Sequence, residues 1–257
     1  MSESDNRNIE NESERHIAVL TARIESVNKE MQLLAYAISH DLRTPLRAID
    51  GFAHIIEEDY GSLLPQEGRV FFSRIRDNAE RMGQMIDGLL SFSRLGDCPL
   101  EIASVDTVTL VRQLVEEKRA EFGNRNIDVR IGSLPSCQAD PNLLRQAFLD
   151  LFSNAIKYTR TRDFAIIEIS GNSDDRETIF QVKDNGVGFN LNYATKLFTV
   201  FQRFHPAADY EGVGIGLART QRIVKRHGGR IWAESAPDKG AAFYFSIGML
   251  TPNKDGK

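Results

Sequence analysis

A chain of 257 residues has room for one large domain or two ordinary ones, and 41% hydrophobic with 26% charged content is that of a soluble globular protein. A formal net charge of −4 gives no reason to expect nucleic acid or an anionic membrane as a partner. No apolar run approaches the roughly 20 residues of a membrane span, the polar start is no secretory signal, and Cys98 and Cys137 show neither metal nor redox spacing, which fits reduced thiols in a cytoplasmic protein.

Residues 1–15 are polar and mostly acidic and read as a disordered or linker segment. A helical pattern then runs from about His16 to Asp59 without a stop, far beyond the ~11-residue mean of globular helices. Within it Ile17, Leu20, Ile24, Val27, Met31, Leu34 and Ile38 recur at alternating steps of three and four, the seam of a coiled coil over residues 16–38. The steps at Leu34, Ile38, Leu42 and Leu46 are all four, a stutter that locally unwinds such a seam. Pro45 removes a backbone donor and is expected to loosen or kink the helix one turn back. His40 lies midway between two seam residues, so it faces outward, beside Asp41. An exposed imidazole next to a carboxylate, on a helix with a weak point, is a candidate nucleophile that must move. By itself the same pair also reads as ordinary solvated surface.

Tyr60, Gly61, Ser62 and Pro65 mark a turn, after which a second amphipathic helix is expected from about Pro65 to Arg94, with Phe71, Ile75, Met82, Ile86 and Leu89 on its apolar face. Two such helices and a short loop make an antiparallel hairpin over residues 33–95. A lone hairpin cannot bury both apolar faces, which predicts a homodimer closed as a four-helix bundle. Gly96 to Pro99 open a linker over residues 96–105. Residues 106–250 then mix a helix from about Thr107 to Phe122, helices near residues 141–158 and 215–227, and short β-type runs at 128–131, 165–170, 179–184, 230–234 and 242–247. This composition predicts an α/β sandwich, helices on one face of a mixed sheet, followed by a tail at 251–257.

Three stretches in this second half carry chemistry. Asp184-Asn185-Gly186-Val187-Gly188-Phe189 follows a strand-like run; its glycines let backbone approach a ligand and its aspartate can accept from an exocyclic amine, although a plain β-turn reads the same way. Gly212-Val213-Gly214-Ile215-Gly216-Leu217-Ala218 opens a helix, a ready-made phosphate site, without the strand that a Rossmann turn requires. Asp150, Asn154, Lys157 and Tyr158 recur at three- and four-residue steps and share one helix face, a set that suits a Mg2+-bound polyphosphate and is also compatible with bare surface.

Taken in order over roughly residues 33–247, these pieces closely resemble the sensor histidine kinases, in which a dimerising phosphoacceptor hairpin precedes an ATP-binding domain of the GHKL (Bergerat) type. The resemblance rests on an H box around His40, an N box around Asn154, a glycine box at 184–188, an F box at 197–204 and a second glycine box at 212–216. The runs Phe201-Gln202-Arg203-Phe204-His205 and 227–235 look most like the phytochrome-class and PAS-linked members.

The resemblance implies that His40 takes the γ-phosphoryl group of ATP, with Asp41 holding the imidazole tautomer and accepting its proton. It implies that Asn154 ligates Mg2+, that Lys157 meets phosphate and that Tyr158 packs beside adenine. Asp184 would accept from the adenine amine, Gly186 and Gly188 would shape the pocket, and Gly212, Gly214 and Gly216, with Leu217 following, would cover the phosphates. Arg203 stands as a γ-phosphate contact or as a surface residue. Asp150 departs from the usual asparagine, and is expected to tighten Mg2+ binding, to raise futile ATP hydrolysis, or to be a harmless acid near the cation. Thr44 is expected either to orient water for dephosphorylating a response regulator or to back onto a helix carbonyl. The implied partners are a second copy of the chain, a response-regulator receiver domain and an upstream sensor that this chain does not include, with the coiled coil as input and residues 96–99 as pivot. A nucleotide-binding pseudokinase scaffold and a plain GHKL ATPase are the rivals; the first is disfavoured by intact His40, Asn154 and Asp184, the second by the His40 hairpin.

Overall fold

The computed structural model describes residues 3–95, 99–191, 196–204 and 210–248, and the chain divides into two units, Met1–Cys98 and Pro99–Lys257. Linker residues 96–98, His205 and the tail at 251–257 lie outside the described residues, as do the side chains of Ile17, Ile24 and Met31.

The first unit is a helical hairpin of α1 (Glu3–Tyr60) and α2 (Gln66–Arg94). Helix α1 reaches back to Glu3, across the segment expected as disordered linker. That segment holds no Pro or Gly, and a helix already nucleated adds each residue at the gain of one hydrogen bond. The helix runs on through Pro45, where the missing amide removes the helical partner of the Asp41 carbonyl one turn back. At the tip, the Gly61 N–H donates to Glu57 O at 3.1 Å and the Leu63 N–H to Tyr60 O at 2.9 Å, closing the turn.

The apolar stripe of α1 is divided between two directions. Ser39, Leu46 and Ala53, seven residues apart, are buried, and Leu46 packs with Ala79 and Ile86 of α2. Leu42, Ile49 and Phe52 remain exposed, as do Phe71, Ile75 and Met82 on α2, so one hairpin leaves a row of large apolar side chains uncovered on each helix. Arg43 paired with Asp87, and Arg76 with Glu57, hold the two helices in register.

The second unit is the expected α/β sandwich. Its elements are β1 (Ala103–Val105), α3 (Thr107–Lys118), a 3-10 turn at Arg119–Phe122, β2 (Ile127–Ile131), β3 (Cys137–Ala139), α4 (Pro141–Tyr158), β4 (Ala165–Ser173), β5 (Glu177–Asp184), α5 (Gly216–Arg226), β6 (Ile231–Ser235) and β7 (Ala241–Gly248). Five strands form one sheet in the order β2-β4-β5-β7-β6, with β2 parallel to β4 and the other pairs antiparallel. A separate ribbon joins β1 to β3 within what was expected to be linker and loop.

Helix α4 is the spine of the unit. Asp140 caps it, accepting the Asn142 and Leu143 N–H groups at 3.0 and 3.1 Å, and Pro141 occupies the first turn, where its missing donor costs nothing. Its buried face sets Phe148 edge-on to Phe180 of β5 and Phe245 of β7, with ring centroids 5.2 and 5.1 Å apart. Along β5 burial alternates, so Thr178, Phe180, Val182 and Asp184 all point to the same covered side. Period-two geometry thus carries an aspartate into the core layer at the strand's end. Among the described residues no helix is long and apolar enough to cross a membrane.

Candidate active site

On α1, His40 and Asp41 are exposed, with side chains 71% and 82% accessible, and Nδ1 of His40 lies 3.2 Å from Oδ1 of Asp41. A carboxylate only accepts, so this contact assigns the proton to Nδ1 and leaves Nε2 as the basic nitrogen. Thr44 is exposed one helical turn further on.

The second unit holds a cavity at the C-terminal end of β5. Tyr158, Asp184, Gly188, Phe189, Leu197, Phe204, Leu217, Ala241 and Phe243 line it, an apolar slot with one carboxylate. Phe189 stacks on Phe204 with ring centroids 5.7 Å apart, which joins the F box to the glycine turn. Burial pushes the Asp184 carboxyl up to about 6, while the Gly186 and Ala241 amides and Arg162 pull against it. Gly186 and Gly188 have steric reasons to be glycine. A methyl on Gly186 would lie 2.4 Å from Tyr158 O, and Gly188, at φ +60°, would bring one to 2.1 Å from Ala236 O.

A second, open cleft lies along the exposed face of α4, lined by Ser153, Asn154, Lys157, Arg125, Arg160 and Gly212 among others. Lys157 Nζ sits 4.2 Å above the Tyr158 ring, and burial, aided by Arg203, pushes its ammonium down to about 8. Tyr158 lines the slot and Lys157 the cleft, so successive residues of α4 join an apolar, carboxylate-floored pocket to a cationic one. The glycine run borders the cleft at Gly212, where an added methyl would stand 3.6 Å from Lys157 Nζ. Gly212 and Gly214 both have positive φ, and the Gly214 carbonyl accepts the N–H of Phe201, itself held at φ 65°.

Asp150 departs from the expectation. Expected beside a cation, it is buried, and its carboxylate accepts from both Nε (2.8 Å) and Nη2 of Arg219 and from Gln146 Nε2 at 2.9 Å. The reason is Arg219 in the first turn of α5, a guanidinium that the fold brings against this face of α4. Its fork and the carboxylate match bidentately, and Asp150 raises the guanidinium pKa further. Asn154 does line the cleft. No cluster of three or more His, Cys, Asp or Glu suited to a metal occurs among the described residues. Asn154 offers a hard cation one amide oxygen, so a Mg2+ ion here would need its other oxygen ligands from a bound ligand and water. Arg203 donates to the Tyr210 carbonyl and lies near Lys157 and Tyr158.

Several residues of the site carry no motif. Tyr210 is buried with its ring 5.1 Å from that of Tyr158. Arg125 donates to Ile156 O and Thr159 Oγ1 at 2.9 and 3.0 Å, holding the end of α4. Arg162 donates to the carbonyls of Asn185 and Gly186, both at 2.9 Å, and of Asp238 at 3.0 Å, bracing the glycine turn from outside. A basic residue shortly after the N box is the sequence trace of Arg162, and Arg125, upstream of that box, has none.

Comparison with known proteins bears on both units. Residues 30–97 match the His Kinase A (phospho-acceptor) domain, and residues 139–250 the histidine kinase-, DNA gyrase B-, and HSP90-like ATPase family. Cyanobacterial phytochrome B of Nostoc sp. is 33% identical over 234 residues, covering 90% of this chain and 31% of that protein. Phytochrome-like protein Cph1 of Synechocystis sp. is 29% identical over 231 residues, with the same two shares. The chain thus spans under a third of the length of these relatives. Among solved structures, full-length ShkA in complex with AMPPNP matches with a TM-score of 0.60 at 28% identity, over 85% of this chain and 46% of that one.

Proposed function

This chain belongs to the sensor histidine kinases of two-component systems, and from that premise we propose that it transfers the γ-phosphoryl group of ATP to His40 and passes it to an aspartate of a response-regulator receiver domain. The observation that carries the reading is the His40–Asp41 pair, an exposed imidazole whose Nδ1 proton is held by a carboxylate. In the reaction the Nε2 lone pair attacks the γ-phosphorus, an N–P bond forms, and the bond to the bridging oxygen breaks with ADP as leaving group. Positive charge developing on the ring is met by Asp41, which holds or takes the Nδ1 proton.

The ATP-binding unit supplies orientation. We assign adenine to the slot, its exocyclic amine donating to Asp184 and its rings taking a place against Leu197, Phe204 and Phe243 as the lining opens around it. The phosphates fall to the cationic cleft, with Lys157 contributing charge and the glycine run its backbone amides. Asn154 would hold the nucleotide's Mg2+, and that ion when bound neutralises polyphosphate charge. A His Kinase A domain implies dimerisation, and the exposed apolar residues of α1 and α2 are what a second hairpin would cover in a four-helix bundle.

Thr44, exposed one turn beyond His40, supports the further reading that the same helix dephosphorylates the response regulator. Thr44→Ala would abolish that activity while sparing His40 labelling; equal dephosphorylation rates would remove Thr44 from the reaction. The decisive experiment for the kinase is incubation with γ-labelled ATP and Mg2+, wild type against His40→Gln. Base-stable, acid-labile label that vanishes in the variant is the expected result. Nucleotide binding without label would make the chain a scaffold, and label that persists in His40→Gln would move the acceptor elsewhere.

A further inference from the structure

The Asp150–Arg219 pair is a buried arrangement beside the candidate site that the proposed chemistry leaves unused. Both partners are largely withdrawn from water, with side chains 5% and 23% accessible. A buried ion pair is a poor source of net stability, since desolvation consumes most of the attraction, so its presence calls for another account.

Its position supplies one. Asp150 stands on α4 one turn before Asn154 and seven residues before Lys157. Arg219 stands in the first turn of α5, where the helix dipole disfavours a cation. That helix start has no side-chain cap and no acidic residue of its own. The carboxylate of Asp150 is therefore the negative charge that this helix start receives, delivered from the neighbouring helix through a two-pronged contact that fixes orientation as well as distance. Gly216, the first residue of α5, faces the same side chain: a methyl there would come into ordinary van der Waals contact, 3.6 Å, with both Cβ and Cγ of Asp150. The glycine run from Gly212 to Gly216 thus has Asp150 beside its far end and Lys157 beside its near end.

We propose that the Asp150–Arg219 pair is a positioning device that holds the glycine run at a fixed height over the Asn154–Lys157 face, and so sets affinity for the polyphosphate but not for adenine. The proposal rests on the nucleotide reading given above. It also assigns Asp150 a role other than cation ligand or activator of water, because both oxygens are committed to hydrogen bonds. The carboxylate of the adenine slot, Asp184, stands at the end of β5, and α4 and α5 add only the Tyr158 and Leu217 side chains to its lining.

The test measures dissociation constants of the full chain for Mg2+-AMPPNP and for adenosine. Asp150→Asn leaves the Arg219 charge without its counter-ion, and Arg219→Gln does the reverse. Each is expected to weaken AMPPNP about tenfold or more, ~1.4 kcal/mol, and to leave adenosine within about twofold. The double variant Asp150→Asn, Arg219→Gln restores a neutral hydrogen-bonded pair and is expected to recover most of the AMPPNP affinity. Should a single variant fail to fold, Arg219→Lys keeps the charge and loses the fork, and weaker AMPPNP binding at unchanged adenosine binding is again expected. Unchanged AMPPNP affinity in the single variants, or equal weakening of both ligands, overturns the proposal. A wild-type chain that binds neither ligand overturns the nucleotide reading itself, an outcome distinct from either.

Discussion

Oδ1 of Asp184 accepts the Gly186 N–H at 2.8 Å, so the residue that ends β5 also shapes the turn lining the slot. Its folded pKa of about 6 stands above the ordinary 3.8, because burial disfavours the charge. An adenine amine donates more strongly to a carboxylate than to a neutral carboxyl, so binding favours the ionised form. Affinity for adenosine should be flat above about pH 6 and fall about tenfold per unit below it. Asp184→Asn should bind more weakly and lose that slope. An Asp184→Asn variant that binds adenosine as tightly as wild type would remove Asp184 from adenine recognition.

Lys157 sets the opposite limb. Burial holds its ammonium at about 8, so above that pH the empty site loses a positive charge. Affinity for AMPPNP should decline above pH 8 while adenosine binding stays level, since only the phosphates use the charge. Lys157→Met should weaken AMPPNP and flatten this limb. A parallel decline for both ligands would mean that pH acts on the fold and not on Lys157.

Gly123 and Gly188 offer a controlled comparison, because their φ values are +57° and +60°. A methyl on Gly123 meets nothing within 4 Å, whereas on Gly188 it meets the carbonyl oxygens of Ala236 at 2.1 Å and Gly240 at 2.8 Å. Gly123, at φ 57° and ψ −133°, lies in a region that only glycine adopts readily, and Gly123→Ala should cost ~1–3 kcal/mol of backbone strain alone. Gly188→Ala should cost a further ~1–3 kcal/mol, because backbone must move. It should also close the slot to adenosine. Urea melts and adenosine binding of the two variants check both parts; equal stability losses would mean that the turn at Gly188 yields easily.

What could be read from the residues, and what could not, divides along sequence separation. Helix α4 matches its expected bounds because Asp140, Pro141 and an unbroken apolar period are all local signals. Asn154 and Lys157 share a face by the same arithmetic. The ribbon of β1 and β3 was missed because three-residue strands carry no period. Asp150 was misplaced because its partner lies 69 residues away, and nothing in the local pattern announces Arg219. Arg162, which braces three carbonyls up to 76 residues distant, is silent for the same reason. Residues 3–15 look linker-like by composition, yet helix α1 extends through them without a break.

His227 shows how such a distant contact can be tested. Fully buried at the end of α5, it donates from Nδ1 to Ile223 O at 2.8 Å, and its Nε2 accepts the Asp140 N–H at 3.0 Å. The neutral ring thereby ties the end of α5 to the cap of α4. Burial lowers its pKa below the ordinary 6.5; Asp140 pulls the other way and Arg226 reinforces the fall. A depressed folded pKa means that the unfolded chain binds the proton more readily. The stability His227 contributes is complete above pH 6.5 and is lost as pH falls toward the folded value, at up to ~1.4 kcal/mol per unit. Asp184 opposes it: with a raised folded pKa it gains protons on folding between 3.8 and about 6, and so favours the folded state as pH drops. The difference between wild type and His227→Phe cancels Asp184 and isolates the histidine. At pH 7.5 the variant should be ~1–3 kcal/mol less stable, because the Asp140 N–H loses its acceptor. By pH 5 that gap should narrow as the wild-type histidine is driven to charge. Denaturant melts at the two pH values decide it, and a gap that does not change with pH would show that His227 titrates alike in the folded and the unfolded chain, so that burial does not depress its pKa.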